Sequence, residues 1–241
     1  MSGSPISFYT LINSLQLLAY LPLSTIPIPQ SLRSLLTSLN MQSFVPNPFL
    51  YWVGTSEGPT VPDFATSYGY ESCLFLVNCG VMICVGVLVL LYWIAIQALA
   101  RLPLGILSFY LKEQTKRNQS LRYWLQVYMD VTLAALFQVG WLSFSTFNEA
   151  FNSCLGLLIV CLSIVTPFSV LFVTTTFYPN RTSKWMTLFD EFKCKSLRGS
   201  LFYTVYLFRR IIYSSVLIFA HTSPKLQAVT FSALSLTVSP T

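Results

Sequence analysis

"CLFLVNCGVMICVGVLVLLYWIAIQALA", Cys73 to Ala100, contains not one Asp, Glu, Lys or Arg. About 20 apolar residues cross the hydrocarbon core of a bilayer, so this stretch is long enough to span one with some tilt. The whole chain agrees with it. Of 241 residues, 54% are hydrophobic and only 9% are charged, where soluble domains carry roughly 25% charge. The expected fold class is all-α, a polytopic transmembrane helical bundle.

Similar stretches flank this one. Phe151 to Pro179 is also free of charge, with Pro167 as a kink of the kind tolerated inside a bundle. Tyr123 to Phe147 is apolar except for Asp130. The segment after the twin arginines, from Ile211, is apolar and resumes beyond Pro224, whereas Ile6 to Ser24 is interrupted by Asn13 and Gln16. About five spans are therefore expected, near 6–24, 73–98, 123–147, 153–178 and 211–238. They form one multi-pass domain over 1–241, with an outer loop at 25–72 and cytosolic loops at 101–122 and 179–210.

Charge placement sets the orientation. Of the 14 basic residues, all but Arg33 and Lys225 fall between Arg101 and Arg122 or between Arg181 and Arg210. Basic loops stay on the cytosolic side. The outer loop carries Glu57, Asp63 and Glu71 against Arg33, and the turn near Phe147 carries only Glu149. Arg209 and Arg210 then mark the cytosolic border, with the last span starting at Ile211. Buried in mid-membrane without a partner, each would cost several kcal/mol.

Interfacial helices complete the expected architecture. Leu32, Leu35, Leu36 and Leu39 form one helical stripe after Pro27 and Pro29. Trp185, Leu188, Phe189 and Phe192 form another, flanked by Lys184, Lys193 and Lys195, a pattern suited to anionic lipid. The basic loop "KEQTKRNQSLR" reads either the same way or as a solvated connector. Positive charge beside a span needs no nucleic acid to explain it. The partners expected are therefore the lipid bilayer, anionic lipids included, and a second copy of the chain in a homo-oligomer.

Enzymatic chemistry is not expected. A single histidine, His221, excludes a histidine-pair metal site and a histidine-based triad within the chain, and no phosphate-cradling glycine motif is present. No cofactor or metal is called for. The six cysteines show no CxxC spacing. Cys73 and Cys154 fall near the outer ends of spans, where an oxidising compartment could join them; apolar packing is the other reading. The sequons at Asn118 and Asn180 lie in loops assigned to the cytosol, so glycan on either would invert the topology.

Asp130 is the leading candidate for function. Gln126, Asp130 and Gln138 recur in steps of four with Ala134 between them, so three polar groups are expected on one stripe. An intramembrane acid is a functional-site hypothesis by default, and such a stripe faces a bundle interior or a water-filled path. Its other reading is interhelical hydrogen bonding, as for Asn13, Gln16 and Asn78.

Five phrases occur in order along the chain: "NSLQLLAYLPL" (13–23), "VPNPF" (45–49), "LFDEF" (188–192), "LFRRIIY" (207–213) and "PKLQ" (224–227). Together they resemble the C-terminal multi-span region of ciliate cysteine-rich surface proteins. That region is similar to the transient-receptor-potential-like membrane domain of polycystin-like and flavin-carrier proteins. The resemblance implies an extracellular cysteine-rich domain upstream, further helices, the plasma membrane, and cation conduction or surface sensing. This chain departs from the pattern by lacking the ectodomain, a repeated-arginine voltage sensor and a selectivity-filter loop. The resemblance further implies a cytosolic elbow in which Asp190 and Glu191 pair with Arg209 or Arg210. The combined expectation is a channel- or transport-type membrane domain that is a portion of a longer protein. The alternative is a non-conducting anchor and signalling module for a cysteine-rich extracellular domain.

Overall fold

The computed structural model describes residues 15–38, 47–50, 60–66, 68, 70–101, 119–177 and 201–236. Among them every regular element is helical. A short helical stretch at 15–19 and a 3-10 turn at Leu21–Leu23 lead to α1 (Gln30–Ser38) and α2 (Asp63–Thr66). The longer helices follow: α3 (Phe75–Ala100), α4 (Gln119–Gly140), α5 (Phe147–Phe177), α6 (Phe202–Phe219) and α7 (Pro224–Leu236).

Three helices are long and apolar enough to cross a membrane: Phe75–Leu99, Phe147–Thr176 and Phe202–Phe219. The chain is thus compatible with a membrane protein, with three such helices where five spans are expected. α4 does not join them because Arg122, Gln126, Asp130 and Gln138 dilute its apolar content. The expected span at 211–238 is broken. α6 ends at Phe219, and the chain turns through Ala220–Ser223, where the Ser223 N–H donates to the Ala220 carbonyl over 3.0 Å. α7 restarts at Pro224, whose missing N–H is no loss at a first helical position. α6 also begins at Phe202, well before Ile211, so Arg209 and Arg210 lie inside the helix and not at its edge.

The chain divides into two compact units: Met1–Val81 with Met129–Ile164 and Phe208–Thr241, and Met82–Tyr128 with Val165–Leu207. In the first, Leu23, Ala65, Met129, Leu133, Phe137, Leu217 and Ile218 form the core. Phe64 anchors α2 into it, lying 4.8 Å from His221 in a stacked pair, 5.9 Å from Trp141 and 6.3 Å from Phe137. In the second unit Tyr123 joins α4 to α3. The Tyr123 hydroxyl donates to the Met82 carbonyl, and the Tyr123 ring covers Gly86, where an added Cβ would come within 3.0 Å of it.

Polar side chains set the helix directions within the first unit. Gln138, near the end of α4, accepts from the Phe75 N–H at the start of α3 over 2.9 Å. Gln138 also donates to Ser153 of α5 over 3.2 Å, and Thr132 donates to Ser163 over 3.0 Å. α3 and α5 therefore run opposite to α4. Gly140 lies against Ile218 and Phe219, so α6 runs with α4. The start of α5 is capped by Thr146, and Glu149 reaches back one residue further, to Ser145. The Glu149 N–H donates to Thr146 Oγ1 over 3.3 Å, and the Glu149 carboxylate accepts from the Ser145 N–H over 3.2 Å.

Large apolar side chains cover the outside of the long helices. On α3 Leu88 is 64% exposed, and on α5 Phe172 is 67% exposed. Faces of this extent are what a hydrocarbon environment accepts and water does not. The α1 stripe divides, with Leu36 buried and Leu32 and Leu35 exposed. Cys73 and Cys154 are both free: Cys73 is buried beside the start of α3, while Cys154 points outward from α5. The stripe of Trp185, Leu188, Phe189 and Phe192 lies outside the described residues.

Gly156 fixes the α4–α5 approach. An added Cβ there would sit 3.0 Å from Gln138 Cγ and 3.2 Å from Gln138 Cβ, and hydrogen bonds at both ends of its amide hold that side chain. Gly156→Val is expected to destabilise the protein by about 1–3 kcal/mol through overpacking. Thermal unfolding of the detergent-solubilised protein checks this; an unchanged Tm would mean that α5 moves away without cost.

Candidate functional site

The site grows from three elements that sequence spacing aligns. On the first segment Gln16 and Tyr20 lie four residues apart, one helical turn. On α6 Arg210, Tyr213 and Ser214 fall within a turn of one another, and on α4 Asp130 lies among Met129, Val131, Leu133 and Ala134, all buried. These faces meet. The Tyr20 hydroxyl donates to the Asp130 carboxylate, and the Arg210 guanidinium donates to the Gln16 side-chain carbonyl. The Tyr213 hydroxyl donates to the Leu17 carbonyl over 2.8 Å.

The same segment is held again further along. The Thr25 N–H and hydroxyl both donate to Gln227 Oε1 of α7, over 3.0 and 3.2 Å, while the Gln227 amide reaches the Val216 carbonyl at 3.4 Å. Gln16 thus meets Arg210, and Thr25 meets the residues that follow α6. The first segment and α6 run in the same sense.

Asp130 is the electrostatic centre of this cluster. It is 8% exposed and Arg210 1%, and the guanidinium lies close enough to act on the carboxylate. Tyr68 and Tyr70, from the segment before α3, close the other side. The Tyr68 ring is 5.8 Å from Tyr20 and 5.5 Å from Tyr70, which stacks on Phe137 at 5.2 Å. Burial pushes both phenols well above the ordinary tyrosine range. At Tyr68 the Asp130 charge is the next largest cause, and at Tyr70 Tyr68 and then Asp130 add to it.

The expected stripe does not hold as one unit. Steps of four residues each turn the helix about 40° past a full revolution, so the direction drifts by about a third of a turn from Gln126 to Gln138. Asp130 and Gln138 are buried and Gln126 is exposed. Gln138 serves the start of α3, a separate joint at which Asn152 also caps, accepting from the Leu76 N–H over 2.9 Å. Of the expected elbow, Arg210 is inside the bundle and Arg209 half-buried. Asp190 and Glu191 lie outside the described residues. Sequence reading missed Tyr20, Tyr68, Tyr70 and Gln227. Only Tyr20 left a signal, one turn beyond Gln16; the partners of the others are remote in sequence.

Two outcomes test this arrangement. Gln138→Leu removes the acceptor for the buried Phe75 N–H and is expected to cost about 1–3 kcal/mol, read as a lowered unfolding midpoint. An unchanged midpoint would show that α3 does not depend on the cap. For the phenols the sign runs against alkali. The unfolded chain ionises tyrosine near pH 10 or so, while the folded protein keeps Tyr68 and Tyr70 neutral to higher pH. Stability present below that pH is then lost as pH rises above it, by up to about 1.4 kcal/mol per tyrosine for one pH unit. Between about pH 8 and pH 11, Tm should fall less for Tyr70→Phe than for the unmodified protein. No protein-family model, curated protein or solved structure matches this chain.

Proposed function

We propose that this chain is the membrane-embedded part of a multi-pass protein of channel or transport character, non-enzymatic and related to the transient-receptor-potential-like group. The observation that carries the reading is the enclosure of Asp130 and Arg210 in one apolar bundle. Ionisable groups at such depth are expensive and mark ion or proton pathways by default. In this reading α4 and the first segment also cross the bilayer, giving five passes. The opposed senses of α3 and α5 to α4 and α6 support it, as does the confinement of most basic residues to two loops. The bilayer, with anionic lipid on the basic side, is its immediate partner; a homo-oligomer in the plasma membrane completes the reading.

One observation favours the second reading, a non-conducting anchor and signalling module. The Gln138 amide bonds at both its ends to helix-joining partners, which is structural service and not a path. Ion flux into liposomes containing the protein separates the two. On the transport reading Asp130→Asn lowers cation flux on the order of tenfold, the equivalent of about 1.4 kcal/mol. Flux equal to that of the unmodified protein would favour the anchor.

A further inference from the structure

Among the described residues the Asp130 carboxylate takes one hydrogen bond, from Tyr20 to Oδ1, which leaves Oδ2 to be satisfied. The Tyr68 hydroxyl, on the opposite side of the cluster, is also buried and has no hydrogen-bond partner among the described residues. It lies near enough for the two groups to act on each other. A buried acid with one oxygen that takes no hydrogen bond among the described residues, and an unbonded buried hydroxyl near enough to feel its charge, define a site for a species that one oxygen can hold.

We infer that Asp130 takes up and releases a single proton on Oδ2, and that the Tyr68 hydroxyl becomes the acceptor for the protonated acid. A hydroxyl suits this because its oxygen can accept from an O–H group. The step is simple. One proton from water forms one O–H bond on Oδ2, the site changes from −1 to 0, and no electron moves. A metal cation suits the site poorly. It would require several oxygen ligands, whereas no group of three or more His, Cys, Asp or Glu is found among the described residues, and Arg210 would repel it.

The groups facing Asp130 can be named element by element: Tyr20 from the first segment, Tyr68 and Tyr70 from the segment before α3, Cys79 from α3, and Arg210 from α6 with Tyr213 and Arg209 nearby. Arg210 is the one cation acting directly on the carboxylate among them. Protonation therefore removes the opposing charge that acts on the Arg210 guanidinium, and the attraction that draws α6 to α4 at this point weakens. This deepens the transport reading by naming the ion, although the site itself stands on its own geometry.

Infrared difference spectra of the full chain in liposomes, recorded as pH is changed between about 4 and 9, test the site. Acidification should produce a carboxylic acid C=O band that is lost in Asp130→Asn and shifted in Tyr68→Phe. If Asp130→Asn does not fold, Asp130→Glu should move the band instead of removing it. A band unaltered by Asp130 and Tyr68 substitutions, or no titrating band at all, overturns the inference. Ion flux in the same liposomes separates the two readings. A titrating Asp130 band without flux refutes transport and upholds the proton site; flux without the band refutes the proton site and upholds transport.

Discussion

Arg210 is almost wholly enclosed in an apolar helix, and the first unit is arranged around that fact. A guanidinium cannot shed its proton in a protein, so the surroundings must answer its charge. Gln16 supplies a hydrogen-bond acceptor and Asp130 an opposing charge. Those two residues belong to the first segment and to α4, and the requirement therefore joins three stretches of chain distant in sequence. Tyr20 closes the triangle by donating to Asp130 from the segment that carries Gln16. Groups buried in this way add little net stability, because desolvation offsets most of their attraction. Their contribution is register. Sliding α6 by one turn past α4 would separate the charges and expose each to an apolar environment without its partner.

A second polar joint stands apart from the first and solves a different problem. The start of α3 is buried, Cys73 to Leu76 being at most 4% exposed, yet the first N–H groups of any helix have no partner within it. Water meets this need at a surface. Here Gln138 of α4 and Asn152 of α5 meet it, with the Ser72 hydroxyl accepting from the Leu74 N–H over 3.1 Å. The joint holds three helix ends together, and Gly156 gives the Gln138 side chain the space to reach across.

Composition and run length made the helical class and the two longest apolar helices legible, because hydrocarbon length sets a plain threshold. The limits of the last span were not legible. Apolar residues continue on both sides of Ala220–Ser223, and the break depends on a proline that sequence reading could also accept as a kink inside one span. The enclosure of Arg210 in the bundle was not legible for a similar reason. Charge in an apolar run is cheapest at a membrane border, and the residues that make the interior acceptable for Arg210 lie far away at Gln16 and Asp130. Asp130 itself stood out because an acid is rare in such a stretch. Tyr68 and Tyr70 did not, since tyrosines in a loop carry no periodic mark and acquire meaning only through the acid they enclose.

The two polar joints differ in what they allow. At the start of α3 the Leu74, Phe75 and Leu76 N–H groups each have an acceptor, and none of those groups changes charge readily; a joint of that kind is fixed. At Asp130, among the described residues, one carboxylate oxygen and the Tyr68 hydroxyl take no hydrogen bond, and an acid in such a place can exist in two charge states. Both joints lie on α4, Gln138 two turns or so beyond Asp130. The helix is thus clamped at one end by neutral amides while its middle carries a charge that can be cancelled. Motion driven from Asp130 would then be taken up by α6 and the first segment, which depend on that charge, and not by α3, which does not.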